Sequence, residues 1–379
     1  MFIPTVRFFL ALFNAANRLV STLRRWILSP VYWLVFPLPH PKKVVPIGKI
    51  KSESQLNVIK QVGVAGETIR RPPQIIGSLS IEHFVMQQTS PAVYSFQLPN
   101  GRVFHDGQVM TSDGRLIAEV SNISPDVLPK PLSGKGGLPR MRHFPGRLAV
   151  LAAPGSSRYF HWLLDTLPRI KLLQELQPDK IYLRGKQPFV RESLEKFGFD
   201  TKDFLRSRKY THWSADTLVG VTPLANPGCV TLEVVNLLRS LVEKKMGSRR
   251  RIYISRNDAG YRRVLNETSL LNYLDRYGFE RILLSQLSFS DQLELFATAD
   301  VVLAPHGAGI ANVVFSPPGC TVIELMPEDY VNTCFWCLSE MCGHNYFCIG
   351  GVQTVGKRNH MHVDLKILDS AWKQSLCAE

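Results

Sequence analysis

The sequence predicts an α/β fold, a parallel and doubly wound sheet with a β-rich N-terminal region ahead of it. From Arg147 onward, apolar runs of strand length alternate with helical patterns at the spacing of βα units. Residues 40–150 show short alternating runs instead, such as 92–96 and 115–120, set between Pro, Gly and Asn turn signals. The 379 residues, 45% hydrophobic and 20% charged, supply enough apolar material for two cores.

Residues 1–40 read as a basic amphipathic segment. Val6, Phe9, Leu10, Phe13, Ala16 and Val20 fall at helical spacing, and Arg7, Arg18, Arg24 and Arg25 interrupt the apolar run before it can span a bilayer. Residues 1–52 contain no acid, and carry eight of the net fourteen positive charges. That pattern predicts a helix lying on an anionic membrane surface, and a cytoplasmic protein peripheral to the inner face of the membrane; the plainer alternative is that these residues dock on the chain's own core. Charges within and after the apolar stretch do not suit a cleaved signal peptide. The concentration of charge in one segment argues against a nucleic-acid coat, which would be basic throughout.

Residues 41–230 are expected to form an N-terminal domain, the β-rich prefix followed by α/β units. In it, residues 148–152 read as a strand, 156–176 as a helix, 180–183 as a strand, 188–197 as a helix and 217–221 as a strand. A long helix over 231–246 bridges to a C-terminal domain, 231–379, that ends in a tail. The second half reads as strand 251–255, helix 266–277 with Asn266 as N-cap, strand 281–284, helix 290–298, strand 301–304, short helix 309–315 and strand 320–325. Seven cysteines without framework spacing suit a reducing compartment. Cys334-x-x-Cys337 with Cys342 and Cys348 has irregular gaps and apolar neighbours, which favours buried thiols over a zinc cluster.

The most informative stretch is Val301-Val302-Leu303-Ala304-Pro305-His306-Gly307-Ala308-Gly309, a buried strand, a glycine turn and a helix start. Unpaired amides and the helix dipole at such a turn favour an anion, and glycines let a phosphate approach. A close packing turn is the plainer alternative. Ligands of doubly wound sheets bind beyond the carboxyl ends of the strands, where Arg256, His306–Gly309 and Glu324 all fall. Arg256 can clamp phosphate bidentately or remain a solvated charge. Glu324 can accept from ribose hydroxyls or serve in a salt bridge. Arg262, Arg263 and Glu267 read as surface ion pairs. His161, Asp165 and Arg169 are four apart on one helix face, so His161 and Asp165 can form a base dyad toward an acceptor hydroxyl, or only stabilise the helix. Pro168 bends that helix.

His161-Trp-Leu-Leu-Asp-Thr-Leu-Pro-Arg169, Ile252-Tyr-Ile-Ser-Arg256, Pro305-His-Gly-Ala-Gly-Ile310 and Val322-Ile-Glu-Leu325 together resemble the family 61 glycosyltransferases. The resemblance spans residues 155 to about 330. It implies a GT-B architecture, two Rossmann-like domains facing across a cleft, and inverting, metal-independent transfer with no cofactor. The donor is a nucleotide sugar, with UDP favoured, and the acceptor is a glycan or a lipid-linked hydroxyl compound, as in capsular or other surface polysaccharide synthesis. Carried onto this chain, Arg256, His306, Gly307, Ala308 and Gly309 hold the diphosphate side, Glu324 the ribose, Asp165 or His161 acts as base, and Arg169 lies on the acceptor side. Two other classes stay open. A Rossmann oxidoreductase needs Gly-x-Gly-x-x-Gly after the first strand, where the chain has Arg256-Asn257-Asp258-Ala259-Gly260. A non-catalytic scaffold of polysaccharide assembly needs no ligand at these residues.

Overall fold

The computed structural model describes residues 43–53, 59–121, 138–208, 211–242 and 249–376. The expected amphipathic segment, residues 1–40, lies outside the described residues. No described helix is long and apolar enough to cross a membrane.

Strands Arg142–Val150, Lys180–Leu183, Phe204–Arg206 and His212–Val221 pair in parallel, with the first strand between the second and the fourth. Parallel neighbours need long crossovers, and the helical run 159–175 and the helix Pro188–Glu195 supply two of them. The β-rich N-terminal region extends this same sheet. Val93–Pro99 and Arg102–Phe104 pair antiparallel with His212–Val221, and Gln108–Met110, Arg115–Ile117 and Lys43–Val45 continue it outward.

The second sheet is parallel throughout. Its order is Phe279–Ile282, Arg250–Ile254, Ala299–Pro305, Thr321–Pro327, Asn345–Val352 and Gln74–Gly77. Side chains alternate between its faces, as the pleat requires. Tyr253, Leu303, Ile323 and Phe347 pack with Leu270, Leu274 and Trp372 on one side. Ile252, Val302 and Val322 pack with Phe289, Phe296, Val313 and Phe335 on the other. The latter cluster runs on into the first sheet through Ala149, Leu151, Ile181 and Val219. Gln74–Gly77 belongs by sequence to the expected N-terminal domain, yet it completes the second sheet. The chain therefore crosses the expected 230/231 boundary.

Local chemistry explains most element ends. Ser288 and Asp291 form a reciprocal capping box at Phe289–Ala297. Gly278 and Gly343, at φ 69° and 73°, stop the helices before them. Three expectations change. Asn266 does not cap its helix, because its side chain is held by both backbone groups of Val363, at 2.8 and 3.0 Å. The expected 231–246 helix is the shorter Leu232–Arg239, and Arg239 donates to the carbonyls of Val314, Ser316 and Cys342. The 156–176 helix starts near residue 159 and is not regular. His161–Thr166 is a π-helical segment in which Leu167 N–H reaches Trp162 O, five residues back, and Leu167–Arg169 is 3₁₀. Pro168 has no N–H to continue an α-helical ladder there.

Candidate active site at the sheet ends

Numbered along the chain from Arg250, the first five strands of the second sheet run 2-1-3-4-5. In that order the crossovers from strands 1 and 3 leave in opposite directions and open a crevice at their carboxyl ends. Arg256 follows strand 1 and His306–Gly309 follows strand 3.

The turn is built around a guanidinium. A Cβ on Gly307 would stand 2.0 Å from Arg256 Nη1, and one on Gly309 2.7 Å from Leu284 Cδ1. Gly307 is extended (φ 171°), so its hydrogen side chain serves close approach rather than a special conformation. The helix Ala308–Phe315 is 3₁₀, and its first amides have no partner within the helix. Arg256 donates through Nε and Nη2 to Tyr261 O at 3.3 and 3.1 Å. Arg262 Nε donates to His306 O at 2.8 Å, and its Cζ lies 4.8 Å from the centre of the Tyr330 ring. Arg262 is therefore part of the turn and not the surface ion pair expected for it. Its neighbour in that expectation, Glu267, is buried and accepts from Tyr253, Ser255 and Arg281. Burial lowers the Arg256 guanidinium to about 10. The Arg262 charge pushes it the same way, and Asp258 opposes. Among the described residues neither arginine is in ion-pair contact with a carboxylate, and Asp258 is the one acid whose charge acts on Arg256.

His306 is buried beneath this turn. Its Nδ1 bonds Glu324 Oε1, and Tyr346 O–H donates to Glu324 Oε2 at 2.5 Å. Burial first, and the Glu324 charge second, push the Tyr346 phenol far up, so it remains a donor. Glu324 has no exposed surface. The ribose contact expected of it from the sequence gives way to the alternative, a buried pairing role. With both its oxygens engaged, it orients His306.

On the facing side, His161 Nδ1 and Asp165 Oδ2 are 2.7 Å apart, with 37% and 26% of their side chains exposed. Gly155, at φ +84°, packs beneath the His161 ring, 3.0 Å from Cδ2 to its would-be Cβ. Arg169 does not share this face. It is 1% exposed and donates to Leu151 O at 2.6 Å and Val221 O at 3.3 Å. The π and 3₁₀ turns rotate it inward, so it ties two strand ends together and cannot meet an acceptor. Burial lowers it to about 10, with the Asp165 charge opposing.

An aromatic chain joins the two sides. His161 meets Phe160 (centroids 5.4 Å apart), Phe160 meets Phe335 (5.6 Å), and Phe335 meets His306 (5.1 Å). Tyr159 O–H donates to Asn312 Oδ1 at 2.5 Å, and Asn312 Nδ2 donates to Gly309 O at 3.2 Å. The Cys334 thiol is pushed up by burial and then by the charges of both Glu324 and Asp165. Sequence reasoning missed Tyr159, Asn312, Arg262, Tyr330, Phe335 and Tyr346. Only Arg262 carried a local signal, its place six residues after Arg256. The six described cysteines are free thiols, and Cys320, Cys337, Cys342 and Cys348 are buried.

The side of the mixed first sheet thus offers a hydrogen-bonded carboxylate–imidazole pair, and the parallel second sheet a cationic glycine turn. Residues 159–323, a little under half of the chain, match the family model described as Glycosyltransferase 61. It is similar to the EGF domain-specific O-linked N-acetylglucosamine transferase of Drosophila melanogaster, 34% identical over 97 residues, covering 25% of this chain and 18% of that protein. It is also similar to the Tetraodon nigroviridis protein O-linked-mannose beta-1,4-N-acetylglucosaminyltransferase 2, 26% identical over 162 residues, covering 38% of this chain and 27% of that protein. The chain thus spans between 18% and 27% of the length of these relatives.

Proposed function

We propose that this protein is an inverting glycosyltransferase that moves a sugar from a nucleotide-sugar donor to a hydroxyl acceptor, with its two sheets as the facing halves of a GT-B enzyme. The observation that carries this reading is the charge at the turn. Arg256 and Arg262 are half-buried, repel each other and sit against the glycine turn at a switch point, with no carboxylate in ion-pair contact with either. A diphosphate relieves that repulsion and accepts from the amides. The names of the relatives favour an N-acetylglucosamine-type sugar, and UDP is the expected carrier. Assembly of a surface polysaccharide, contact of residues 1–40 with a membrane and a cytoplasmic location rest on the sequence alone. The relatives' names point to EGF domains and O-linked mannose instead.

In this mechanism the acceptor proton passes to the His161–Asp165 pair. Asp165 is the expected base, while the bond to Nδ1 also leaves His161 Nε2 open to take the proton with Asp165 orienting it. The acceptor oxygen attacks the anomeric carbon as the bond to the diphosphate breaks on the opposite face. Charge gathering on the leaving group meets Arg256, Arg262 and the amides after Gly307. Preorganised donors of that kind contribute several kcal/mol, on the order of 3 for one donor. No step calls for a metal ion. The test is calorimetry with UDP and UDP-N-acetylglucosamine together with a nucleotide-sugar hydrolysis panel. Arg256→Ala should abolish nucleotide binding. Asp165→Asn should keep it and cut turnover about a hundredfold or more. A protein that binds no nucleotide is the scaffold and not the transferase, and full turnover in Asp165→Asn transfers the base role to His161.

A further inference from the structure

A cavity of about 890 Å³ shares no lining residue with the glycine turn. It lies between the antiparallel strand pair Gly66–Ile69 and Gln87–Ser90, the helical run that carries Asp165, and residues 224–240. Its walls are largely aliphatic, formed by Val62, Val93, Leu172, Leu224, Val230 and Leu237, and no aromatic ring lines it to stack a sugar. Arg70 lines it too. Arg70 is 5% exposed, and among the described residues neither its Nε nor its Nη1 has an acceptor. Its Cζ lies 5.9 Å from the centre of the Trp336 ring, which attracts the charge but cannot accept the in-plane N–H groups. A buried guanidinium with unmade hydrogen bonds is a site waiting for an oxyanion. Lys171 adds a second positive charge at the exposed rim, where Glu233 is the single acid among the lining residues.

We propose that this cavity binds an anionic amphiphile, with an aliphatic chain along the walls and a phosphate or carboxylate paired with Arg70. Cys229, on the cavity wall, lies within the field of both Arg70 and Asp165. Pro168 and Lys171, on the helical run that carries His161 and Asp165, also line the cavity, which places it to hold one part of an acceptor whose hydroxyl is presented to that pair. That role rests on the transferase reading. The occurrence of the binding site does not.

The experiment is calorimetric titration of the full chain with octyl phosphate, octanoate, octanol and inorganic phosphate, each below its micellar concentration. Octyl phosphate or octanoate should bind at a single site, and the tighter of the two names the anion. Octanol and inorganic phosphate should bind at least about tenfold more weakly. Arg70→Gln should cost the anionic amphiphile about tenfold and leave octanol unchanged. Asn236→Trp, placed on an exposed lining residue, should block the cavity without lowering Tm. UDP titrated in parallel should bind both variants as it binds the parent. If octanol matches octyl phosphate, or Arg70→Gln keeps full affinity, the proposal is overturned. If octyl phosphate binds and UDP does not, the transferase reading fails while the cavity site stands.

Discussion

Gly307 shows how narrow the tolerance at the turn is. Adding a methyl group there places carbon 2.0 Å from the end of a flexible arginine, so the side chain gives way and the backbone does not. Gly307→Ala should therefore lower nucleotide affinity about tenfold, one lost charge-assisted contact, with little change in Tm. Tyr346→Phe acts oppositely. It strips a hydrogen bond from the buried Glu324 carboxylate and should cost about 1–3 kcal/mol in urea denaturation. The contrast explains which residues were legible in the sequence. Arg256 and His306–Gly309 announce themselves by local pattern, a cation or a glycine turn directly after an apolar strand. Glu324 and Arg169 were misread because what governs them is distant. Tyr346 lies on the next strand over, and the carbonyls of Leu151 and Val221 lie on strands of the other sheet.

The helical run from residue 159 is the element that does most to assemble the site. Its π segment keeps His161 and Asp165 in contact while turning Arg169 to the interior, which a regular 3.6-residue period does not do. Apolar spacing revealed the helix but could not reveal the change of period. The strands were read more faithfully, since Lys180–Leu183 follows from a short apolar run bounded by turns. The run docks on the helix Ala308–Phe315 through Tyr159 and Asn312, and Asn312 also holds Gly309 O. Tyr159→Phe should lower stability by about 1 kcal/mol. It should also weaken nucleotide binding measured by calorimetry, because the same amide that loses Tyr159 supports the turn.

Across the whole molecule, pH should act through two buried histidines. Burial holds His344 to about 3, with the Arg239 charge adding to the effect, and burial holds His212 to about 4. An unfolded histidine titrates near 6.5. As pH falls below about 6.5 the unfolded chain takes up protons that the folded chain refuses, so stability is full above that value and declines toward pH 4 by a few kcal/mol. Urea denaturation at pH 7.5, 6 and 5 measures the slope, and His212→Gln should flatten it. A second global feature is the strand Gln74–Gly77. It pairs with Phe347–Gly350, so during synthesis it waits about 270 residues for its partner. Gly77, at φ +108°, would direct a Cβ to 2.3 Å from Gly350 O, and only glycine permits that approach. Gly77→Ala should accordingly slow refolding after dilution from denaturant. Until residue 350 has emerged, the nascent protein carries an edge of the second sheet open to any neighbouring chain, and docking of this one strand covers that edge.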